Sequence, residues 1–219
     1  GVSPEGLRDV LRIFRGQEVL SFGNIDPYVQ THPLSTQREQ LIDRAVEEAR
    51  AKGYAPDPER QYWHARMRAK LEGFLDTPAR VLDRHADAEP SETVLYALAV
   101  AYHRLPDPAR ALETVDRLIA MRPGDPFYLE LKGQILFESG RAEAALPLYR
   151  EALERAPGEV LLKAGLGRVL LAQGTAAADR EALAVLEDAR RTDARDASML
   201  RNLAIAYDRA GNRPMAALA

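Results

Sequence analysis

Four histidines, His32, His64, His85 and His103, are the residues from which imidazole chemistry could be assembled. They are followed by Pro33, Ala65, Ala86 and Arg104. A helix-borne hydrolytic zinc site needs a glutamate directly after the first histidine and a second histidine four residues on, so that both imidazoles share one face. None of the four opens that pattern. The chain has no cysteine, which removes thiolate nucleophiles and disulfides. A glycine-rich phosphate loop, a nucleophile elbow and a paired-acid arrangement are also missing. The 33 carboxylates, set against 30 lysines and arginines, are scattered along helical stretches as solvated faces. This chain alone carries no constellation able to catalyse a reaction.

The balance of charge narrows the partners. A formal net charge of −3 offers no basic face for a nucleic acid. No apolar run is long enough to span a bilayer. The sequence starts at Gly1 rather than Met and shows no secretory signal. Cysteine-free composition suits the periplasm and the cytoplasm alike. Alanine, leucine, arginine and glutamate dominate, the makeup of a helical repeat array.

The elements follow from small residues at fixed intervals. Between Pro126 and Gly158 the sequence reads as a helix, a turn at Gly140 and a second helix. Gly133, Ala145 and Ala152 sit where two helices would touch, with Leu129, Leu136 and Tyr149 between them, and Pro157 closes the unit. From Gly133 the small and closing residues fall at +12, +19 and +24, the spacing of a tetratricopeptide (TPR) repeat. Such a helix pair cannot bury its apolar face alone and must stack on neighbours. Stepping by 34 finds them: Ala99, Ala111 and Pro123 before, Gly167 after. Ala182 and Ala189 lie 37 after their counterparts, and a lengthened turn in the GTAAADRE stretch accounts for the three extra residues. The expected repeats are 92–125, 126–159, 160–196 and a truncated 197–219. The fold class is therefore all-α, a TPR solenoid wound as a right-handed superhelix with a helical extension at its N-terminal end. Pro147, in the second turn of its helix, is expected to bend or delay it.

The N-terminal part lacks this small-residue pattern. Ser3-Pro4-Glu5 starts a helix whose apolar face is Leu7, Val10, Leu11 and Phe14. Gln17–Thr31 has no helical period. Ser35 or Thr36 caps a helix with Leu41, Ile42, Ala45, Val46 and Ala49 on its buried side, Thr36 and Glu39 standing at capping-box spacing. A further helix from about Asp57 to Leu75 is expected to turn Tyr62, Met67, Leu71, Phe74 and Leu75 inward, and Thr77-Pro78 caps a short one. Residues 35–90 then form a cap on the solenoid, which would otherwise expose apolar surface at its end.

Asp26-Pro27-Tyr28-Val29-Gln30-Thr31-His32-Pro33-Leu34-Ser35-Thr36-Gln37-Arg38, followed by a helix and TPR-like pairs, resembles the C-terminal half of HtpX-like zinc metallopeptidases that carry TPR repeats. In that family a gluzincin catalytic domain precedes the repeats. The resemblance implies that 1–34 is the tail of the peptidase domain, that the parent protein binds zinc, and that it works in the periplasm, in protein quality control. No metal ligand carries over, because the His-Glu-x-x-His helix and the downstream glutamate ligand are absent from this chain. His32 matches the family's His-Pro loop near the active-site cleft, so it is a possible gate or zinc ligand in the full-length protein. Read from its neighbours alone, it is a loop histidine beside a stiffening proline.

In a TPR array the first helix of each pair lines a concave groove. By register, Thr93, Tyr96, Val100, His103 and Arg104 face it from the first repeat. Phe127, Glu130, Gln134, Phe137 and Glu138 do so from the second. Arg168 with Leu161, Ala164 and Leu171 follows in the third, and Arg201 and Arg209 with Ser198, Ile205 and Asp208 in the fourth. Tyr96 and Val100 stand where the lysine and asparagine of a C-terminal carboxylate clamp would be, so a broader protein or extended segment is the expected partner. Tyr96, Phe127 and Phe137 have a second reading as packing between repeats. Three function classes follow. The chain is the docking domain of a periplasmic metallopeptidase that also contacts its own catalytic domain, a stand-alone TPR adaptor, or the regulatory part of another enzyme.

Overall fold

Small residues decide where these helices cross. The computed structural model describes residues 4–13, 35–54 and 57–218, and every regular element among them is an α-helix. The chain divides into two compact units, Gly1–His64 and Ala65–Ala219. In the first, α1 (Glu5–Ile13) packs on α2 (Ser35–Ala51), and Arg50 Nη2 meets Glu5 Oε1 at 2.6 Å. Val46 is buried there, whereas Leu41, expected inward, is exposed. His32 and the residues from Asp26 to Leu34 lie outside the described residues.

The second unit opens with the later part of α3 (Pro58–Leu75) and with α4 (Pro78–Arg84). The face that α3 turns inward is not the most apolar one. Met67, Leu71 and Leu75 are exposed, and Arg66, Ala69 and Gly73 are buried. Close approach explains the choice: a Cβ at Gly73 would stand 2.7 Å from Cβ of Val100. A bulkier residue on that face would hold the helices apart. Val81 of α4 is fully buried with Ala97 and Ala101, so both helices belong with the repeats. Thr77 occupies the α4 N-cap position without a side-chain cap bond.

Four helix pairs follow: α5 (Glu92–Arg104) with α6 (Pro108–Met121), α7 (Pro126–Glu138) with α8 (Ala142–Arg155), α9 (Val160–Ala172) with α10 (Ala176–Thr192), and α11 (Ala197–Arg209) with the short α12 (Arg213–Ala216). Each partner pair packs together, each second helix packs on the next first helix, and α7, α9 and α11 also touch in succession. Side chains of Ser91, Asp107, Asp125, Thr175, Asp196 and Asn212 accept the first-turn N–H groups of their helices, each worth about 1 kcal/mol. Gly140 at φ 77° ends α7. Its N–H donates to Phe137 O and the Arg141 N–H to Leu136 O, which satisfies carbonyls the helix leaves bare.

Within each pair the small residues meet large ones. Gly133 accommodates the ring of Tyr149, and Gly167 accommodates Leu186, whose Cγ would stand 2.5 Å from an added Cβ. Ala145, Ala152, Ala182 and Ala189 are all fully buried. The three extra residues of the third pair do not lengthen its turn. They lengthen α10 to 17 residues, against 14 in α8, because Thr175 caps a run of strong helix formers. Pro147 is contained within α8, which runs on to Arg155. Among the described residues no helix is long and apolar enough to cross a membrane.

Candidate functional site

The side formed by α5, α7, α9 and α11 carries the polar residues singled out in the sequence, and the structure sorts them into three groups. The first is structural. Asp125 caps α7, accepting from the N–H groups of Phe127 and Tyr128 at 3.0 and 3.2 Å. The same carboxylate receives both terminal nitrogens of Arg66, at 2.5 and 2.7 Å. The side chains of this pair are only 6 and 7% exposed. The Arg66 guanidinium lies over the Tyr128 ring at 4.1 Å and within 5.6 Å of the Phe127 ring centre. Tyr96 meets Tyr128 edge-on, centroids 5.6 Å apart. Tyr96 is therefore 4% exposed, a core residue rather than a groove contact. Register gives the side of the helix it occupies; Arg66 and Tyr128 then cover it. Phe127 is half-buried in the same assembly.

The second group ties repeats together. Arg104 Nη1 donates to the carbonyls of Gly73 and Asp76 at 2.8 and 2.5 Å, at the C-terminal end of α3. Arg209 Nη1 donates to Leu171 O at 2.7 Å and Asp179 Oδ1 at 2.9 Å. Both arginines, expected to face a partner, are engaged with a preceding helix. Between them runs a ladder across three repeats. Glu138 Oε2 pairs with His103 Nε2 at 2.7 Å, its Oε1 accepts from Gln134 at 2.9 Å, and Arg168 Nη1 approaches Oε1 at 3.8 Å. The Arg168 guanidinium lies over the Phe137 ring at 4.7 Å. Arg201 is exposed.

The third group surrounds a cavity of about 170 Å³ shared by α7, α8, α9 and α11. Glu130, Gln134, Tyr149, Leu161, Ala164, Gly165, Arg168, Asp196, Ser198 and Asn202 line it; Glu130 and Tyr149 are buried, and Leu161, Asp196 and Ser198 are exposed. Glu130 is 9% exposed, and burial pushes its carboxyl above the usual range, against the pull of Lys70 and Arg168. Tyr149 is fully buried; among the described residues neither its hydroxyl nor Nε of Arg168 has a close hydrogen-bond partner, and the hydroxyl's interactions with the Glu130 carboxyl and the Arg168 side chain are loose ones. Burial, reinforced by the Glu130 carboxylate, holds the Tyr149 hydroxyl protonated far beyond the phenol range. A buried polar group without a partner costs roughly 1–3 kcal/mol. Two such groups, beside the buried Glu130 carboxyl, form a surface suited to a polar ligand. Sequence reasoning found Glu130, Gln134 and Arg168 but took Tyr149 as packing alone, because it lies on a second helix. Glycines at 133 and 165, which leave room on both sides of its ring, were the available signal. Among the described residues no three side chains of metal-ligating type converge.

Capped helix pairs stacked through alanine and glycine crossings define a helical-repeat solenoid. The repeats are tetratricopeptide repeats: two TPR family models match, one over residues 79–126 and another over 120–219. No curated protein matches the chain in sequence. A crystal structure of MamA superposes with a TM-score of 0.51 at 17% identity, over 64% of this chain and 79% of that one. MamA AMB-1 in the C2221 crystal form gives 0.54 at 18%, over 71 and 92%. At such identity the likeness concerns the fold. These matches connect the chain to TPR proteins and to no HtpX-like metallopeptidase.

Proposed function

We propose that the repeats dock a protein or an extended peptide segment along the side formed by α5, α7, α9 and α11. The observation that carries this reading is the cavity shared by three successive repeats, with the Tyr149 hydroxyl and Arg168 Nε buried on it and without a close partner among the described residues. A rigid array that spends stability on such groups gains it back when a ligand supplies their partners. The test is selection of a random peptide display library on the whole chain, repeated with Ala164→Trp, which fills the cavity wall. Enriched peptides that bind the parent in the micromolar range and lose binding to A164W support docking at this face. Peptides indifferent to A164W place docking elsewhere.

A peptidase parent, with its zinc, its catalytic domain as a partner and a periplasmic setting, rests on the resemblance of Asp26–Arg38 alone. A stand-alone TPR adaptor is equally compatible with the repeats. The coding sequence upstream of Gly1 separates them: a His-Glu-x-x-His helix behind a secretory signal supports the first, a start codon just before Val2 the second. In a metallopeptidase parent, His32→Ala with unchanged peptidase activity and metal affinity would remove His32 as a gate or ligand.

A further inference from the structure

We infer that the cavity between α7, α9 and α11 receives one cationic side chain, a lysine or arginine of the docked segment, with Glu130 as its counter-charge; this rests on the docking reading above.

The lining decides the sign. Glu130, which is buried, and Asp196, which is exposed, both line it. Glu130 enters no ion pair among the described residues and is nine-tenths buried. Asp196 spends one oxygen on the Met199 N–H at 2.7 Å. Arg168 is the one cation lining the cavity, and its guanidinium is drawn over Phe137 and toward Glu138. Lys70 faces Glu130 without lining the cavity, so the lining itself sets two carboxylates against one partly committed arginine. An entering carboxylate would add a third acid beside Glu130 in a site of low dielectric, where like charges repel most. An ammonium or guanidinium gives Glu130 a close ion pair, which Lys70, Arg168 and the Tyr149 hydroxyl do not supply.

The remaining groups suit the rest of such a side chain. Leu161 and Ala164 offer an apolar wall for an aliphatic stem. Tyr149 Oη, fully buried and without a close partner among the described residues, has a lone pair to receive an N–H. Ser198 and Asn202 in the lining present oxygens to a second N–H or to the segment's backbone. The volume, about 170 Å³, is on the scale of one long side chain and not of a larger group.

The experiment titrates the full ¹⁵N-labelled chain with N-acetyl-arginine N-methylamide, N-acetyl-lysine N-methylamide and N-acetyl-glutamate N-methylamide, following the amides of Ala164, Gly165 and Asn202. The expected result is saturable shifts with either basic probe, weakened by at least about tenfold in Glu130→Gln and absent with the glutamate probe. Asn202→Lys, which plants an ammonium in the lining without touching buried groups, should also weaken both basic probes. The inference is overturned if the glutamate probe binds as well as the basic ones, if E130Q and N202K both bind like the parent, or if no basic probe moves these amides. Display peptides that need an open cavity yet show no lysine or arginine preference would sink the cation pocket and leave docking intact. Basic probes that bind while no display peptide does would keep the pocket's chemistry and remove the docked segment.

Discussion

The ring of Tyr149 lies against the bare α-carbon of Gly165: a methyl group built there would stand 2.2 Å from Cε1. Gly133 bounds the other side, where an added Cβ would be 2.8 Å from Cε2. The ring thus spans from its own repeat into the next with no room to retreat. Alanine in place of a helical glycine ordinarily gains about 1 kcal/mol. Gly165→Ala should instead lose roughly 1–3 kcal/mol, the range for overpacking a close contact. Urea denaturation measures it, and the sign should reverse in a Tyr149→Leu background, where the aromatic edge is gone.

The hydroxyl of Tyr149 contributes differently from its ring. Tyr149→Phe removes a buried polar atom that has no close partner among the described residues and should be neutral or stabilising by up to about 1 kcal/mol. Tyr149→Ala, which empties a fully buried site, should cost about 3–5 kcal/mol. If Phe is as damaging as Ala, the hydroxyl is bonded within the fold and the cavity loses its ligand-seeking group.

The repeats were legible in the sequence because helix crossings admit only small residues, and Gly133, Ala145 and Ala152 returned at the TPR spacing. Their counterparts Gly167, Ala182 and Ala189 appeared at the same crossings even though an insertion lay between them. What periodicity could not convey was which neighbour covers a residue. Met67, Leu71 and Leu75 made the more apolar stripe of α3, yet Ala69 and Gly73 permit close approach and Arg66 finds Asp125, so the opposite face is buried. Tyr96 and Glu130 lie on the side that register assigned but beneath other side chains. Arg104 and Arg209, placed by register on the groove face, stay exposed but donate to carbonyls at the ends of helices distant in sequence.

The pair Arg66–Asp125 makes a sharp prediction about stability. Both side chains are almost wholly buried, so removing one strands the other, at about 3–5 kcal/mol. Arg66→Ala should fall in that range, and Asp125→Ala should exceed it by about 1 kcal/mol because the α7 cap is lost as well. Chemical denaturation of each variant tests this. By contrast Glu138→Gln, in a half-exposed ladder, should change stability by less than about 1 kcal/mol. Equal effects at the two sites would contradict the burial that separates them.

Glu130 couples the cavity to pH. Lys70 from α3, Tyr149 from α8, Arg168 from α9 and Glu138 from its own helix all face it, and desolvation outweighs the two cations, leaving its carboxyl above the usual glutamate range. The folded chain therefore holds this proton more tightly than the unfolded chain does. The associated stability is complete below the ordinary glutamate range and is lost as pH rises through that range to the elevated folded value. Glutamine mimics the protonated form at every pH. Glu130→Gln should then melt at the same temperature as the parent near pH 4 and at a temperature on the order of a few degrees higher at pH 7. Differential scanning calorimetry across that interval is the measurement. A saturating basic probe at pH 7 should narrow the gap from the parent's side, since a cation beside Glu130 favours the ionised form that burial opposes. A gap that is constant with pH, or that widens toward pH 4, would mean that Glu130 is not the group whose charge the cavity is built to answer.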